Sequence, residues 1–508
     1  MWGAMVLTPL TKEDLRIVGF NLSRISYVTG FVLFLPIIVA IFFNEFDNIP
    51  YFLIGSAISF ILGSILYHFL YTQAEMELKH ALVMAAVAWL FAPLLASIPI
   101  WLSGSMASPL DACFESISGF TGTGLTLAPD IDHMSRSINF LRHFLQFMGD
   151  GIGIIVISLS ILGRTEMSSV LAFKGEAKEV GIRPSIVRTS RIIIGIGVMF
   201  LAIGTALFTV AGIQEGLDPG QAFFDGLNHA MTGYATGGFT VHSQSLLYYH
   251  SLWVEVAAIV IMIIGALNFN LHYAVLGGKR SEILRNLEVR VLLFVMVAFG
   301  FLVSSNLFSS GLYPTAESLF RKGFFQVISA QTTTGFQTVP PVHLMLVWPV
   351  FSILILSLAM LLGGSANSTS GGIKMLRVGV LFKSLVNEIK RSLLPRSAVV
   401  VGSFHHVEET PLSDKIIRGS AVIAMGYLIL FTMGTMLTVL HGYGLEDSMF
   451  ETASALGNVG LTSGITSPSM SPLLKVTYMF LMWAGKLEVI AVFVLIGFIL
   501  LALRRGIK

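Results

Sequence analysis

Four short segments rich in glycine and threonine are the part of this chain best suited to bind a dehydrated cation. They are called filter segments 1 to 4 and read SGFTGTGLT (118–126), TGYATGGFT (232–240), SAQTTTGFQT (329–338) and SALGNVGLT (454–462). Carbonyl oxygens of such open backbone can replace the hydration shell of a cation. Glycine permits the backbone angles that direct successive carbonyls at one axis. The four segments therefore predict one cation filter within a single chain.

The register of the four segments defines the residues whose backbone carbonyls would face the ion. Each segment carries an aligned glycine, and these glycines are Gly124, Gly238, Gly335 and Gly460. The candidate cation-binding residues are Thr121, Gly122, Thr123 and Gly124; Ala235, Thr236, Gly237 and Gly238; Thr332, Thr333, Thr334 and Gly335; and Gly457, Asn458, Val459 and Gly460.

An interrupted apolar span and a lone lysine form a second candidate site. The stretch GGSANSTSGGIK (363–374) lies inside a span, and each glycine costs about 1 kcal/mol relative to alanine in a helix. We therefore expect this helix to unwind, and the nucleotide-binding pattern GxxxxGK[ST] is absent. Lys486 lies within the apolar stretch Val476–Leu503, where a lysine costs about 2.5–3.5 kcal/mol and should face a cavity or a partner.

The composition shows what kind of chain must position these residues. Hydrophobic residues make up 54% and charged residues 12%, about half the charged fraction of a soluble domain. Soluble enzyme folds are thereby excluded in favour of a multi-pass membrane protein. A net charge of +2 gives no sign of a nucleic-acid partner, and the single cysteine excludes an internal disulfide.

Ten apolar runs are long enough to cross a bilayer. They lie near 16–44, 49–72, 80–103, 139–162, 190–213, 251–276, 290–310, 345–377, 415–441 and 472–503. A shorter, half-polar segment precedes each filter segment, so the unit of long helix, short helix, filter and long helix occurs four times. The predicted fold is an all-α polytopic membrane protein with ten transmembrane helices and four pseudo-symmetric repeats around one pore. The predicted divisions are two additional helices (1–78) and pore repeats at 79–186, 187–286, 287–413 and 414–508.

Charge predicts the orientation. With the amino terminus in the cytoplasm, 25 of the 31 Lys and Arg residues lie on the cytoplasmic side, as the positive-inside rule requires. The filter segments then face outward, in loops with eleven acidic and three basic residues, a field that concentrates cations.

The filter segments, the glycine-rich stretch, NFNLH (268–272) and GKLE (485–488) together resemble the Trk/Ktr/HKT superfamily of potassium transporters, and the two additional helices resemble its Trk type. The resemblance implies potassium as the transported ion, no covalently bound cofactor, and a homodimer with one pore per protomer in a bacterial inner membrane. It also implies a cytosolic ring of nucleotide-binding regulatory subunits of the Trk system, through which alone a nucleotide would act. Gly363, Gly364, Ser365, Asn367, Gly371 and Gly372 would form an intramembrane gating loop, with Lys486 where the family usually has arginine.

Several alternatives stay open at this point. A sodium or mixed-cation transporter would have the same architecture. A secondary transporter with broken helices is disfavoured because it predicts inverted halves, whereas these four units share one orientation. An intramembrane enzyme lacks support from HExxH or GxSxG motifs, and a membrane scaffold would not explain four filter-like segments.

Overall fold

Long apolar helices dominate the computed structural model, which describes residues 11–152, 186–395, 402–406 and 408–505. Six helical spans in this part of the chain are long and apolar enough to cross a membrane. They are Lys12–Phe42, Phe46–Leu70, Lys79–Leu102, Arg191–Gln214, Leu287–Ser309 and Asp414–Leu440. Each matches one of the predicted runs, so the prediction of a polytopic helical membrane protein is confirmed.

The predicted count of ten transmembrane helices is not confirmed by the described residues, which contain six such spans, or up to eight if each bent pair counts as one span. The run 251–276 is two helices bent by 102°, and the run 472–503 is two helices bent by 113°. The run 345–377 stops being helical after Leu361. The run 139–162 continues as a π-helical turn, Phe147–Ile152, beyond which residues 153–162 lie outside the described part.

The bends occur where polar residues interrupt an apolar stretch. At the first bend the side chain of Asn268 accepts a hydrogen bond from the N–H of Asn270 and so begins a new helix. At the second bend Glu488 and Val489 have left-handed backbone angles, with φ of 49° and 69°, which no α-helix accommodates.

The bounds of the elements follow in chain order. The α-helices are Lys12–Val32, Leu35–Phe42, Ile49–Leu70, Leu78–Leu102, Pro109–Phe120, Arg136–Gln146, Ile186–Gln214, Pro219–Tyr234, Leu252–Ala266, Phe269–Leu276, Glu282–Arg285, Leu287–Ser309, Ala316–Ser318, Phe325–Gln331, Pro341–Val347, Val350–Leu361, Met375–Leu393, Asp414–Leu440, Leu445–Gly457, Pro472–Lys486 and Ile490–Arg505. Shorter turns are the 3-10 helices Phe46–Asn48 and Ser245–Tyr249 and the π-helical turn Leu319–Phe324.

A short helix precedes each filter segment, as the sequence predicts. These pore helices 1 to 4 are Pro109–Phe120, Pro219–Tyr234, Phe325–Gln331 with its preceding π-helical turn, and Leu445–Gly457. The first two begin at side-chain caps, where Ser108 accepts from the N–H of Asp111 and Asp218 from the N–H of Gly220. Each pore helix ends within the first three or four residues of its filter segment.

A two-stranded antiparallel hairpin, Ser403–His406 and Glu408–Pro411, lies at the end of the third repeat. The all-α prediction did not include it. An isolated hairpin is only marginally stable in water, and this one is held by the buried Phe404 and by a hydrogen bond from Lys383 Nζ to Ser403 O.

Buried ion pairs connect the repeats. Lys475 Nζ, in the fourth repeat, lies 2.6 Å from Asp111 Oδ1 at the start of pore helix 1, and both side chains are buried. Removing one partner of a buried pair leaves an uncompensated charge away from water, which is strongly destabilising.

Lys475→Met should therefore lower the free energy of unfolding by about 3–5 kcal/mol. The measurement is the thermal unfolding midpoint of the purified protein in detergent, with Lys390→Met, at an exposed lysine, as the matched control. Equal midpoints for the two variants would contradict the importance of this pair.

Candidate cation filter and gate

The backbone of the four filter segments has one repeated conformation. Each segment contains two residues with left-handed φ, separated by a single residue. They are Gly122 and Gly124 (63° and 82°), Thr236 and Gly238 (50° and 73°), Thr333 and Gly335 (56° and 87°), and Asn458 and Gly460 (55° and 98°). Asn458, which departs from the threonine of segments 2 and 3, therefore has the same conformation as those threonines. Asparagine tolerates left-handed angles better than most residues.

The four segments pack against one another in a closed cycle. A Cβ on Gly124 would collide with the carbonyl oxygen of Gly237, and a Cβ on Gly238 with that of Thr334. A Cβ on Gly335 would collide with the carbonyl oxygen of Val459, and a Cβ on Gly460 with that of Thr123. Segment 1 therefore touches segment 2, 2 touches 3, 3 touches 4, and 4 touches 1. We call the carbonyls of Thr123, Gly237, Thr334 and Val459 the carbonyl ring.

The N–H groups of the same four residues are all used within the protein. Each donates to a carbonyl near the end of its own pore helix, at 2.8 to 2.9 Å. The pairs are Thr123 to Ser118, Gly237 to Thr232, Thr334 to Ser329, and Val459 to Ser454. The donors are thus held on the pore-helix side of each segment.

Side chains from other elements fix the segments laterally. Asn458 Nδ2 donates to Thr123 Oγ1 at 2.9 Å and so joins segments 4 and 1. Gln146 Nε2 donates to Gly237 O at 2.5 Å, and its Oε1 accepts from the N–H of Phe239 at 3.1 Å. Sequence reasoning missed Gln146; a polar residue among the apolar residues of 139–162 was its only signal.

A cavity of about 460 Å³ lies on one side of the segments and touches all four filter glycines. Residues that follow the glycines, such as Thr126, Thr240 and Thr462, also line it. We call this cavity the vestibule. Contact with every repeat is what the mouth of a shared filter requires.

Repeats 1 and 2 are bridged beside the vestibule by a histidine. His242 Nδ1 lies 3.2 Å from Asp132 Oδ1, and His242 Nε2 lies 3.4 Å from Asp225 Oδ2. Partial burial alone would raise the pKa of Asp132. Hydrogen bonds from Ser243 and His242 outweigh burial and hold this pKa below its ordinary value.

The predicted loop is an irregular, buried segment, and we call residues 362–374 the intramembrane loop. Thr369 Oγ1 donates to Tyr234 O at 3.0 Å and lies 3.1 Å from Thr236 Oγ1 of filter segment 2. The N–H of Gly371 donates to Thr333 Oγ1 of filter segment 3 at 2.7 Å. A Cβ on Gly371 would collide with the carbonyl of Gly457 in segment 4. The loop therefore touches three of the four filter segments.

Of the other candidate loop residues, Gly363 also contacts the filter, because its carbonyl accepts from Gln331 Nε2 of filter segment 3 at 3.3 Å. The N–H of Ser365 donates to Ala266 O at 2.9 Å, and the carbonyl of Asn367 accepts from Phe269 N, both at the bend near 266–269. The N–H of Gly363 donates to Ile373 O at 3.0 Å, which joins the two ends of the loop. A Cβ on Gly364 or Gly372 would meet other parts of the loop or its surroundings.

Lys486 is the last residue of the helix Pro472–Lys486, at the bend rather than within a continuous span. Its Nζ donates to the carbonyl of Thr369, at 3.2 Å, in the intramembrane loop. Lys486 and the loop are thus in direct contact. The nearby Glu488 forms an ion pair with Arg377 instead of with Lys486.

Glu288, which sequence reasoning missed, connects this loop to the hairpin. Its Oε1 accepts from the N–H of Ala366 at 2.6 Å, and its Oε2 lies 3.5 Å from His406 Nδ1. Glu288 Oε2 also accepts from Asn268 Nδ2 at 3.3 Å. The sequence signal was an acidic residue at the very start of an apolar run.

Fold and site together favour one class of protein, the multi-pass helical membrane proteins that transport cations. The sequence profile of the TrkH family, described as cation transport protein, matches residues 48–500. The chain therefore belongs to the TrkH family of cation transport proteins, which confirms the resemblance stated above.

Relatives cover the chain almost completely. It is 31% identical to an uncharacterized cation transporter of Methanocaldococcus jannaschii, over 97% of both chains. It is 27% identical to the Trk system potassium uptake protein TrkG of Escherichia coli K12, over 94% of this chain and 98% of that protein. The crystal structure of the potassium transporter TrkH from Vibrio parahaemolyticus superimposes with a TM-score of 0.81 at 24% identity, over 95% of this chain and 98% of that one. This last match confirms the fold.

The close packing of the filter glycines predicts that Gly460→Ala lowers cation uptake at least about tenfold, because the new methyl group displaces the carbonyl ring. Gly464→Ala is the matched control. Both glycines have left-handed φ, 98° and 95°, but a Cβ on Gly464 meets nothing within 4 Å. Uptake into liposomes by the two purified variants is the measurement, and equal losses would contradict the packing argument.

Proposed function

We propose that this protein takes up potassium across the cell membrane through its single-chain, four-repeat filter. The observation that carries the proposal is the closed cycle in which each filter glycine packs against a carbonyl of the next segment. Four carbonyls held in one ring can replace the water around a cation without a charged side chain. The relatives from Escherichia coli and Vibrio parahaemolyticus are a potassium uptake protein and a potassium transporter, which favours potassium as the ion here.

Selection of potassium over sodium follows, in this proposal, from the rigidity of the ring. All four ring positions are followed by glycine, so no side chain separates neighbouring segments. The ring N–H groups are tied to the pore helices, which limits how far the carbonyls can close around a smaller ion. The opposing hypothesis is a sodium or mixed-cation transporter of the same architecture.

The test is uptake of radioactive rubidium into liposomes that contain the purified protein, with unlabelled potassium or sodium as competitor. We expect potassium to compete at concentrations at least about tenfold lower than sodium, as carbonyl coordination predicts. Equal competition by the two ions would support mixed-cation conduction, and competition by sodium alone would support a sodium transporter.

We further propose that the intramembrane loop and Lys486 form the gate. The contacts of Thr369 and Gly371 with filter segments 2 and 3 support a position directly against the filter. The contact of Lys486 Nζ with Thr369 O supports a joint role. A fixed ammonium repels an approaching cation by roughly 4 kcal/mol at 4 Å with an effective dielectric constant near 20. Movement of the loop would then open the path.

Lys486→Gln and a deletion within 365–370 should each raise ungated potassium flux, because each removes part of the barrier. Lys415→Gln, at an exposed lysine, is the charge-matched control and should leave flux unchanged. The measurement is rubidium uptake by liposomes without any cytosolic partner. If both changes leave flux unaltered, or abolish it in a well-folded protein, the gate assignment is wrong.

The oligomeric state, the membrane location and the cytosolic partner of this protein are proposals as well. We infer a homodimer with one pore per protomer in a bacterial inner membrane, with a cytoplasmic amino terminus, as the distribution of Lys and Arg supports. A cytosolic ring of nucleotide-binding regulatory subunits would dock on the basic segments 277–290 and 374–418; a third basic segment, 163–191, lies largely outside the described residues. The contact of Glu288 with both the hairpin and the loop supports a route from such a partner to the gate.

A further inference from the structure

Each pore helix carries a buried polar side chain nine residues before its filter glycine. These residues are Glu115, His229, Gln326 and Glu451, and none is more than 1% exposed. Three of them reach the chain that leaves the filter: Glu115 contacts Thr126, Gln326 contacts Thr338, and Glu451 contacts Thr462. The equivalent position therefore supports the outer end of the filter in three repeats.

In repeat 1 the charge at this position is neutralised. Arg142 Nε donates to Glu115 Oε1 at 2.7 Å, and the guanidinium is as deeply buried as the carboxylate. The same carboxylate accepts from the hydroxyl of Thr126 and the N–H of Leu127. Glu115 and Arg142 thus support the strand with no net charge.

In repeat 4 the equivalent carboxylate is held by hydrogen bonds alone. Glu451 accepts from the hydroxyls of Thr462, Ser463 and Thr466 and from the N–H groups of Ser463 and Thr466. Among the residues that the structure describes, no Lys, Arg or His nitrogen lies within 4.0 Å of it. Every other buried carboxylate in the described part of the chain has a Lys, Arg or His nitrogen within 4.0 Å. These carboxylates are Asp14, Asp111, Glu115, Asp225, Glu255, Glu282, Glu288 and Glu488.

Burial alone favours the protonated form of Glu451, and the hydrogen-bond pattern opposes burial and favours the ionised form. Backbone N–H groups can only donate, and an ionised carboxylate is an acceptor at both oxygens, so five donors satisfy it. Two of the residues that donate to it, Thr462 and Thr466, also line the vestibule with Gly460. An unneutralised charge in a low-dielectric surrounding acts over a longer distance than one in water. A cation that enters the vestibule would therefore be attracted by this carboxylate.

We propose that Glu451 is the charged positioning residue of the filter: it fixes the strand that leaves filter segment 4 and supplies the negative charge that raises potassium occupancy in the vestibule. This inference rests on the proposed potassium uptake. It assigns unequal roles to the four repeats, since Glu115 is neutralised and Gln326 is uncharged.

The test is the dependence of rubidium uptake on external potassium in liposomes that contain the purified full chain. Glu451→Gln keeps the shape of the side chain and removes its charge, so the half-saturating potassium concentration should rise at least about threefold, while the maximal rate changes less. Glu446→Gln removes an exposed charge from the first turn of the same pore helix and is the matched control. Its half-saturating concentration should equal that of the wild type.

A second variant covers the case in which Glu451→Gln does not fold. Arg142→Gln removes the neutralising partner of Glu115 and should lower the half-saturating concentration, because it exposes a second negative charge beside the vestibule. A folded Glu451→Gln with unchanged half-saturation, or a folded Arg142→Gln with a raised one, overturns the inference. If the wild type itself takes up no potassium, the proposed function fails; if it does and the variants do not differ from it, only this inference fails.

Discussion

Open backbone at membrane depth is the constraint on which the rest of the structure depends. An unsatisfied backbone group in the hydrocarbon region costs several kcal/mol, so such strands persist only where protein buries them or where they line a path for water and ions. Here the N–H groups of the ring residues are satisfied by the pore helices. The carbonyls of the same residues meet the neighbouring segments, which places four acceptors in one ring. The pore helices, the filter glycines and the intramembrane loop all contact the segments that carry this ring.

A buried ion pair and a polar contact connect repeats 4 and 1 around the candidate filter. The pair of Lys475 and Asp111 ties the fourth repeat to pore helix 1, and Asn458 joins the same two repeats at the filter itself. Repeats 4 and 1 lie far apart in the chain, so these contacts close the cycle. The closed cycle gives each segment two neighbouring segments.

The parts of the fold that were predictable are those with a local signal. The filter segments were found because glycine and threonine recur in one register, and six spans because their apolar runs exceed the length of a bilayer crossing. The bends near Asn268 and after Lys486 were missed, because the polar interruptions there are short and apolar residues continue on both sides of them. Gln146 and Glu288 were missed for a different reason: their partners, Gly237 and Ala366, are distant in sequence. Contacts of that kind depend on the packing of whole helices and leave no local pattern.

The most direct test of the carbonyl ring is to locate the ion. Crystals of the wild-type protein soaked in rubidium, measured at the rubidium absorption edge, would show where a potassium-like cation binds. Our account predicts an anomalous peak enclosed by the carbonyl oxygens of Thr123, Gly237, Thr334 and Val459, which Gly460→Ala removes and Gly464→Ala retains. A strong peak elsewhere with none at these four oxygens, or a peak that survives in Gly460→Ala, would contradict it.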